Sequence, residues 1–277
     1  MKKLIFLIPL LLAMLPAFCQ EKAAYLDLVK AEAELKSLFE ILYNEEILGS
    51  NQDVFQRVDS IFFEALKQPG SFNFPWNKLD KIGKLESEDG LLKIFSWLYM
   101  VSRNEYKYCA FIQVNSGKDE SEVYKLLSSE DDNIHSEDFQ QKTDKWHAKI
   151  YYDIVVKSYK RKVLYTLIGA DFNTSASTLK TIEVLSLNRG KPVFRGDQFL
   201  VGGKVKNRIV LEYSADLAAS VRYNKDMDMI VYDHLSPLHP IYTGNYQFYG
   251  PDGSYDGFKF EEGIWVYEED VDARNRQ

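Results

Sequence analysis

The chain contains little cysteine, with one residue at position 19 and one at position 109. Cys19 ends an N-terminal apolar segment, and a chain that loses this segment keeps Cys109 alone. One thiol cannot form an intramolecular disulfide, so the fold must be stabilised by packing. Cys109 stands in the apolar stretch YKYCAFIQV, which predicts a buried and unreactive side chain.

Basic residues are also in short supply, with 34 Lys and Arg against 41 Asp and Glu and a formal net charge of −7. No stripe of Lys or Arg offsets this balance, and the short run KSYKRK at 157–162 is typical of a turn between strands. Affinity for nucleic acid comes largely from cations placed on phosphates. The composition therefore predicts no nucleic-acid partner.

Long apolar runs are absent beyond the N-terminus. Met1-Lys2-Lys3 precedes the run LIFLIPLLLAML, which is about a dozen residues long and shorter than the ~20 that span a bilayer. This pattern predicts a signal peptide over residues 1–19, cut between Cys19 and Gln20 after the small-residue pair Ala17 and Cys19. We expect an exported protein, periplasmic or associated with the cell envelope, with no transmembrane segment after cleavage.

A cysteine at this place has a second interpretation, because bacterial lipoprotein signals end at a cysteine that is lipidated and anchors the chain. Such signals usually have a leucine three residues before the cysteine and a small residue just before it. Pro16 and Phe18 stand at those places here. The pattern favours cleavage after Cys19 over a lipid anchor at Cys19.

Common catalytic and cofactor motifs are missing as well. The chain has no G-x-S-x-G elbow, no G-x-x-x-x-G-K-[ST] loop and no G-x-G-x-x-G loop. Gly202-Gly203-Lys204 lacks the loop length and the following helix that hold a phosphate, and is typical of a hairpin turn. We therefore predict no cofactor and no metal, and we favour a protein that is not an enzyme.

Two amphipathic segments open the mature chain, in the region 20–70. Apolar residues recur at three- and four-residue steps from Ala23 to Leu48 and again from about Asp53 to Lys67. Gly49-Ser50-Asn51 breaks the first segment, and Pro69-Gly70 ends the second. This spacing predicts two helices joined by a short polar turn, that is, a helical hairpin.

Residues 71–277 change to a period of two and are rich in Val, Ile, Tyr, Phe and Trp, which is typical of antiparallel strands. The predicted strands include Pro192–Leu200 and Tyr246–Tyr249. The fold class is therefore α+β and mainly β, with a large antiparallel β domain built as a sandwich, a curved sheet or a small propeller-like array. An acidic insertion at about 119–145 interrupts the strands. Its first part, SEVYKLLSS, predicts a short helix, and its second part predicts an exposed loop.

The densest group of potentially reactive side chains contains Asp233, His234 and His239. Two imidazoles with a neighbouring carboxylate could supply metal ligands or a general base with its orienting partner. The spacing does not match H-E-x-x-H, and Pro237 and Pro240 prevent a regular helix. These three residues are the candidates for catalysis, and a rigid loop whose histidines bond to backbone groups is the favoured explanation of the same segment.

Aromatic residues are plentiful, and a sheet face lined with their rings could bind a carbohydrate or a peptide, although the same rings could fill the core. In GPDGSYDG, Asp252 and Asp256 are spaced like calcium ligands but do not follow the EF-hand pattern. A Pro-Asp-Gly turn between strands explains them better. The candidates for ligand binding are Tyr232, Asp252, Asp256 and Trp265.

Two C-terminal stretches carry a resemblance to known sequences. RIVLEYSADLAASVRYNKDMDMIVYDHLSP and YQFYGPDGSYDGFKFEEGIWVYEEDVDARN resemble segments of an uncharacterised group of exported bacterial envelope proteins. The resemblance is best over roughly the last seventy residues. It implies no activity, cofactor or catalytic residue.

These observations predict an exported envelope protein with a non-catalytic binding or accessory role, whose partner is a glycan or another envelope protein. One alternative is a hydrolase of an extracytoplasmic polymer that uses carboxylates or histidines between Asp228 and Asp256. A second alternative is a structural subunit of an envelope assembly. An enzyme predicts a concave pocket in which Asp233, His234 and another carboxylate converge, and a binding protein predicts an exposed aromatic patch without such convergence. A structural subunit predicts a long unpaired edge strand or a bare apolar helix face.

Overall fold

The computed structural model describes residues 7–43, 51–102, 105–131 and 133–273, with the backbone alone for 7–22, 51, 102 and 105. Residues 1–6 of the predicted signal peptide and the side chain of Cys19 lie outside the described residues. Export and lipidation therefore stay predictions. The described residues form two compact units, one drawn from 1–81 with 113–123 and the other from 82–112 with 124–277.

The first unit is built on a helical hairpin, which confirms the prediction for the N-terminal region. Helix α1 spans Leu7–Leu42 and helix α2 spans Asn51–Leu66. Residues 44–50, where the first predicted helix continued, lie outside the described residues. Apolar side chains spaced by three and four residues form the buried faces of both helices: Leu28, Leu35, Leu38, Phe39, Leu42, Val58, Phe62, Ala65 and Leu66.

Strands make up most of the rest of the chain, which confirms an α+β, mainly β fold. Strand β9 runs parallel to β15, and the strands around them pair antiparallel. The strands are β1 Gly83–Glu86, β2 Leu92–Ser102, β3 Glu105–Gly117, β4 Glu120–Leu126, β5 Ile150–Tyr159, β6 Lys162–Asp171, β7 Ser177–Asn188, β8 Lys191–Arg195, β9 Phe199–Val201, β10 Lys204–Lys206, β11 Ile209–Ser214, β12 Val221–Asn224, β13 Met229–Pro237, β14 Tyr249–Glu261 and β15 Ile264–Glu268.

Three sheets contain these strands. One has the order β1-β2-β3-β4, and the chain passes between the two units within β3 and again within β4. The second has the order β11-β7-β6-β5, with β8 paired to β7, and the third has the order β10-β9-β15-β14-β13-β12. The second and third sheets both belong to the second unit.

The second and third sheets pack face to face around one core, so they form a β-sandwich within the second unit. Ile168 and Ile182 from one sheet and Ile230 and Phe258 from the other are all nearly inaccessible to solvent and belong to the same cluster. Trp265, on the third sheet, is fully buried in this cluster. The apolar side chains of these strands therefore form a core between two sheets.

One edge of the sandwich is closed by side chains. Strand β12 is the last strand of its sheet, and β5 is the last strand of the other sheet. The hydroxyl of Tyr152 donates a hydrogen bond to the carbonyl of Val221 at 3.0 Å. The backbone N–H of Tyr223 donates to the carboxylate of Asp153 at 3.5 Å. Side chains of β5 thus occupy backbone groups that an edge strand usually leaves to water.

Several local predictions were wrong. The segment SEVYKLLSS contributes to β4, where more and less exposed residues alternate, instead of forming a helix, because pairing with β3 outweighs the apolar spacing. A strand predicted over Tyr246–Tyr249 is instead a single 3-10 turn, Tyr246–Phe248. A single strand predicted over Pro192–Leu200 divides into β8 and β9, because Asp197 between them has a positive φ of 56°.

Other local predictions are confirmed. Cys109 is 2 % exposed and buried. Lys160 and Arg161 turn the chain between β5 and β6, as the run KSYKRK predicted. Gly202 and Gly203 make the hairpin turn between β9 and β10. Neither helix, over the residues that the structure describes, combines the length and apolar character needed to cross a membrane.

Candidate ligand-binding site

A cavity of about 390 Å³ opens in the β-sandwich unit, where β11 of one sheet faces β13 and β14 of the other. Its volume lies in the range of small-molecule sites, roughly 300–1,000 Å³. None of the described residues that line it is a lysine or an arginine. The lining residues are His135, Glu137, Leu179, Val210, Leu211, Glu212, Tyr232, His234, Leu235, Tyr246, Tyr249 and Asp256.

A β-bulge shapes one wall of this cavity. Asp233 pairs with Tyr255 and Leu235 pairs with Pro251, so a single residue of β13 faces three residues of β14, 252–254. Gly253 in the bulge has a φ of 93°, a conformation that side chains strongly disfavour. The predicted Pro-Asp-Gly turn between strands is therefore wrong, because these residues lie inside one strand as its bulge.

The bulge places His234 against two carboxylates. Its Nδ1 lies 2.8 Å from Oδ2 of Asp256, and its Nε2 lies 3.9 Å from Oδ2 of Asp252. The hydrogen bond with Asp256 raises the pKa of His234, and this effect outweighs the opposing effect of partial burial. Because Nδ1 is held by Asp256, the ring is fixed in orientation on the cavity wall with Nε2 at the end away from that bond.

Asp256 is held in turn by the protein interior. It is 4 % exposed, and its Oδ1 accepts a hydrogen bond from the backbone N–H of Asp270 at 3.3 Å. Its Oδ2 bonds to the imidazole. A buried carboxylate that is held by a backbone hydrogen bond is a rigid anchor for the imidazole.

Two glutamates face the cavity from the other side, and their environments differ. Glu137 forms an ion pair with Lys206, and its Oε1 accepts a hydrogen bond from the backbone N–H of Val210 at 3.4 Å. Glu212 is half-buried on β11, and among the described residues no side chain or backbone group bonds to its carboxylate. Glu212 is therefore a carboxylate on the cavity wall with which none of the described residues forms an ion pair.

Tyrosine rings form the remaining polar and aromatic surface. Tyr246 is 53 % exposed, and its ring centroid lies 4.9 Å from that of Tyr249. The hydroxyl of Tyr249 accepts a hydrogen bond from the backbone N–H of Gly244 at 3.0 Å, which fixes the ring. Tyr232 is 7 % exposed, and burial raises the pKa of its hydroxyl, which therefore stays neutral.

The structure brings some of the predicted site residues together. Tyr232, His234 and Asp256 line the cavity, and Asp252 lies beside His234. These four side chains come from two neighbouring strands, so their convergence depends on the pairing of β13 with β14.

Three other predicted residues lie elsewhere. The carboxylate of Asp233 accepts a hydrogen bond from the backbone N–H of Ser220 at 2.7 Å. Nδ1 of His239 accepts one from the backbone N–H of Ile241 at 3.3 Å and caps a 3-10 turn, Pro240–Tyr242. Trp265 is fully buried, and its Nε1 donates to Oγ1 of Thr166 at 2.9 Å. Each of these side chains has a structural contact in place of a ligand-facing one.

Sequence reasoning missed a second polar group, at His135, His147 and Asp171, whose potential ligand atoms lie within 4.8 Å of one another. Nε2 of His147 lies 2.9 Å from Asp171, and Nδ1 lies 3.1 Å from a guanidinium nitrogen of Arg208. A guanidinium can only donate, so Nδ1 accepts and a neutral ring carries its proton on Nε2, which donates to Asp171. A metal ion that bound Nε2 would have to displace the Nε2 proton. It would also add a positive charge beside the guanidinium of Arg208.

Behind this group lies a buried ionic network centred on Glu183. Its carboxylate pairs with Lys149 and with Arg208, and it accepts hydrogen bonds from the hydroxyl of Tyr151 at 2.9 Å and from Gln141 at 2.8 Å. Burial by itself raises the pKa of Glu183, but the two cations outweigh burial and lower the pKa to about 2. The network has no motif in the sequence, because its members come from separate strands and loops.

Comparisons with known proteins assign no relative to the chain. No protein-family model matches it, and neither a curated protein nor a solved structure matches it. The resemblance to exported envelope proteins therefore stays a prediction, and the function has to be argued from the geometry of the cavity.

Proposed function

We propose that the protein is an exported, non-catalytic binding protein that holds a short stretch of glycan chain in the cavity between β11 and β13–β14. The observation that carries this proposal is the combination, in one cavity, of the exposed Tyr246 ring with the Glu212 carboxylate, to which no described group bonds. An aromatic face packs on the apolar face of a sugar ring, and a carboxylate accepts hydrogen bonds from its hydroxyls.

Pre-organisation of the wall supports the same proposal. Asp256 fixes the ring of His234, and the N–H of Gly244 fixes Tyr249. Polar groups that are already oriented lose little conformational freedom when a ligand binds, so more of the contact energy appears as affinity. The volume of about 390 Å³ limits the bound segment to a few sugar units at most.

Binding of oligosaccharides to the purified chain tests the proposal by calorimetry or by perturbation of NMR signals. Tyr246→Ala should weaken binding by about tenfold, because it removes the exposed ring that contacts the ligand. Tyr25→Ala is the matched control, since Tyr25 is 55 % exposed but lies in the helical unit. Equal affinities of the two variants, or no binding of any oligosaccharide, would contradict the proposal.

Export is part of the proposal and has its own test. The positive start and the short apolar run of residues 1–19 support it. Mass spectrometry of the protein made by bacterial cells should find a mature chain that begins at Gln20, in the extracytoplasmic fraction. A mature chain that begins at a lipidated Cys19 would instead establish an anchored form, and an uncleaved cytoplasmic chain would refute export.

A second candidate function is hydrolysis of an extracytoplasmic polymer, and the His234–Asp256 pair favours it. A buried carboxylate that orients an imidazole is the arrangement by which histidine acts as a general base towards water. Assays of glycan and ester hydrolysis with the wild type and with His234→Gln test this function. Turnover that is lost in His234→Gln would establish an enzyme, and binding without turnover would leave the binding role.

A further inference from the structure

The cavity has an unbalanced charge. Three of its lining residues are carboxylates, and none of the described lining residues is a lysine or an arginine. Lys206 compensates Glu137, and His234 bonds to Asp256. Glu212 alone has no such partner among the described residues.

A half-buried carboxylate without a partner is costly, because the protein around it replaces part of its hydration. A ligand that carries a positive charge removes this cost, and at close range the attraction is stronger inside a cavity than in bulk water. An anionic ligand would meet the opposite situation, since it would place like charges next to Glu212. The cavity therefore discriminates among ligands by the sign of their charge.

The tyrosine rings add to this preference. Tyr246 and Tyr249 lie on the same cavity and present aromatic rings with electron-rich faces. Cations are attracted to such faces, and the effect grows when the cation is partly desolvated. Leu179 and Leu211 supply apolar walls beside Glu212, which reduces the exposure of the carboxylate to water.

We propose that the glycan recognised by this cavity carries free amino groups, and that the carboxylate of Glu212 binds one protonated amine beside the rings of Tyr246 and Tyr249. This inference rests on the proposed function, because it names the chemical class of the ligand for the same site. An N-acetylated glycan lacks the charge and binds without the ion pair. A uronic-acid polymer is excluded by the carboxylates.

The experiment compares two oligosaccharides that differ in one group. One is a tetramer of β-1,4-linked N-acetylglucosamine, and the other is a tetramer of the corresponding de-N-acetylated sugar. The two share a backbone, and each amide group of the first is an amine in the second. At a pH at which the amines are protonated, the aminated tetramer should bind at least about tenfold tighter in calorimetry. Added salt should weaken the aminated tetramer and leave the acetylated one nearly unchanged.

Substitution of Glu212 tests whether this residue causes the preference for the aminated tetramer. Glu212→Gln keeps the size and polarity of the side chain and removes its charge, so it should abolish the preference by lowering the affinity for the aminated tetramer to that for the acetylated one. Glu261→Gln is the matched control, because it removes one exposed carboxylate at the end of β14. Thermal unfolding of both variants checks that the fold is kept.

The outcomes separate the two proposals. Equal affinities for the two tetramers, or a preference that survives in Glu212→Gln, would overturn the inference about amines and leave glycan binding intact. Binding of neither tetramer, nor of any other oligosaccharide, would overturn the binding proposal itself and the inference with it.

Discussion

Nδ1 of His234 lies 2.8 Å from Oδ2 of Asp256, and the two residues belong to strands whose register shifts next to this contact. The chain separates them by 22 positions. A side chain that is partly exposed is thus held by one that is buried. The chemistry of the cavity wall depends on this bond and on the bulge that permits it.

The first prediction concerns the titration of His234. Its pKa is raised by the bond to Asp256, so the protonated ring is favoured in the folded state. The bond therefore adds stability that is fully present below the unfolded pKa, about 6.5, and is lost as the pH rises through the folded pKa. An NMR titration should show the raised pKa in the wild type and a lower value in Asp256→Asn.

Asp233→Asn is the control for this titration. Asp233 precedes His234 in the chain, but its carboxylate bonds to the backbone of Ser220 instead. The variant should leave the pKa of His234 close to its wild-type value. An unchanged titration of His234 in Asp256→Asn would show that the hydrogen bond does not cause the shift.

The second prediction concerns the bulge. Gly253 has a φ of 93°, so Gly253→Ala strains the backbone even though open space surrounds the position. We expect a loss of roughly 1–3 kcal/mol in the free energy of unfolding, measured in urea. Ser254→Ala, which removes only the 2.7 Å hydrogen bond from the Ser254 hydroxyl to Asp252, should cost less. Equal costs would mean that backbone strain is not the dominant effect.

The third prediction concerns acid. Glu183 is 2 % exposed, and its pKa of about 2 lies below the ordinary value of 4.5. Its ionic contacts therefore stabilise the fold above about pH 4.5, and this contribution is lost as the pH falls towards 2. Urea unfolding at a series of pH values measures the decline.

Substitution of Glu183 separates this group from the other carboxylates. Glu183→Gln leaves Lys149 and Arg208 buried without their counter-charge, so it should cost about 3–5 kcal/mol at neutral pH and flatten the acid decline. The exposed substitution Glu261→Gln should keep the wild-type profile. An acid decline of wild-type steepness in Glu183→Gln would contradict the assignment.

The fourth prediction concerns a buried hydrogen bond between the two sheets of the sandwich. Thr166→Val keeps the shape of the side chain and removes the acceptor of Trp265 Nε1, which lies 2.9 Å away and is fully buried. An unsatisfied buried donor costs about 1–3 kcal/mol. Thr243→Val, at an exposed hydroxyl, should change the free energy of unfolding by less than about 0.5 kcal/mol. A similarly small effect of Thr166→Val would mean that water replaces the lost acceptor.

The sequence predicted those elements whose periodicity agrees with their final environment. The helical hairpin and most strands belong here, because apolar residues on one face of each are buried where the structure describes their side chains. The predictions for individual segments were wrong where pairing between strands determined the structure. SEVYKLLSS has helical spacing but contributes to β4 beside β3, and Asp252-Gly253 has turn chemistry but lies inside β14 as a bulge.

The site was accessible to prediction only within one stretch of chain. His234, Asp256 and Tyr232 were identified because they lie in a segment dense in His, Asp and Tyr, but Glu212 lies on the opposite sheet. Its importance comes from the lack of a partner, which depends on every neighbour in space. Trp265 illustrates the converse, since its residue type suits a binding surface and its position is the centre of the core.

The bonds from Tyr152 and Asp153 to the edge of β12 also determine how copies of the protein behave towards one another. An open edge strand is a template on which a second molecule can add its own strand, and concentrated protein then polymerises. Here backbone groups of that edge are already occupied from within the same chain. The fold therefore carries its own protection against aggregation at this edge, and the protection depends on a hydroxyl and a carboxylate of a neighbouring sheet.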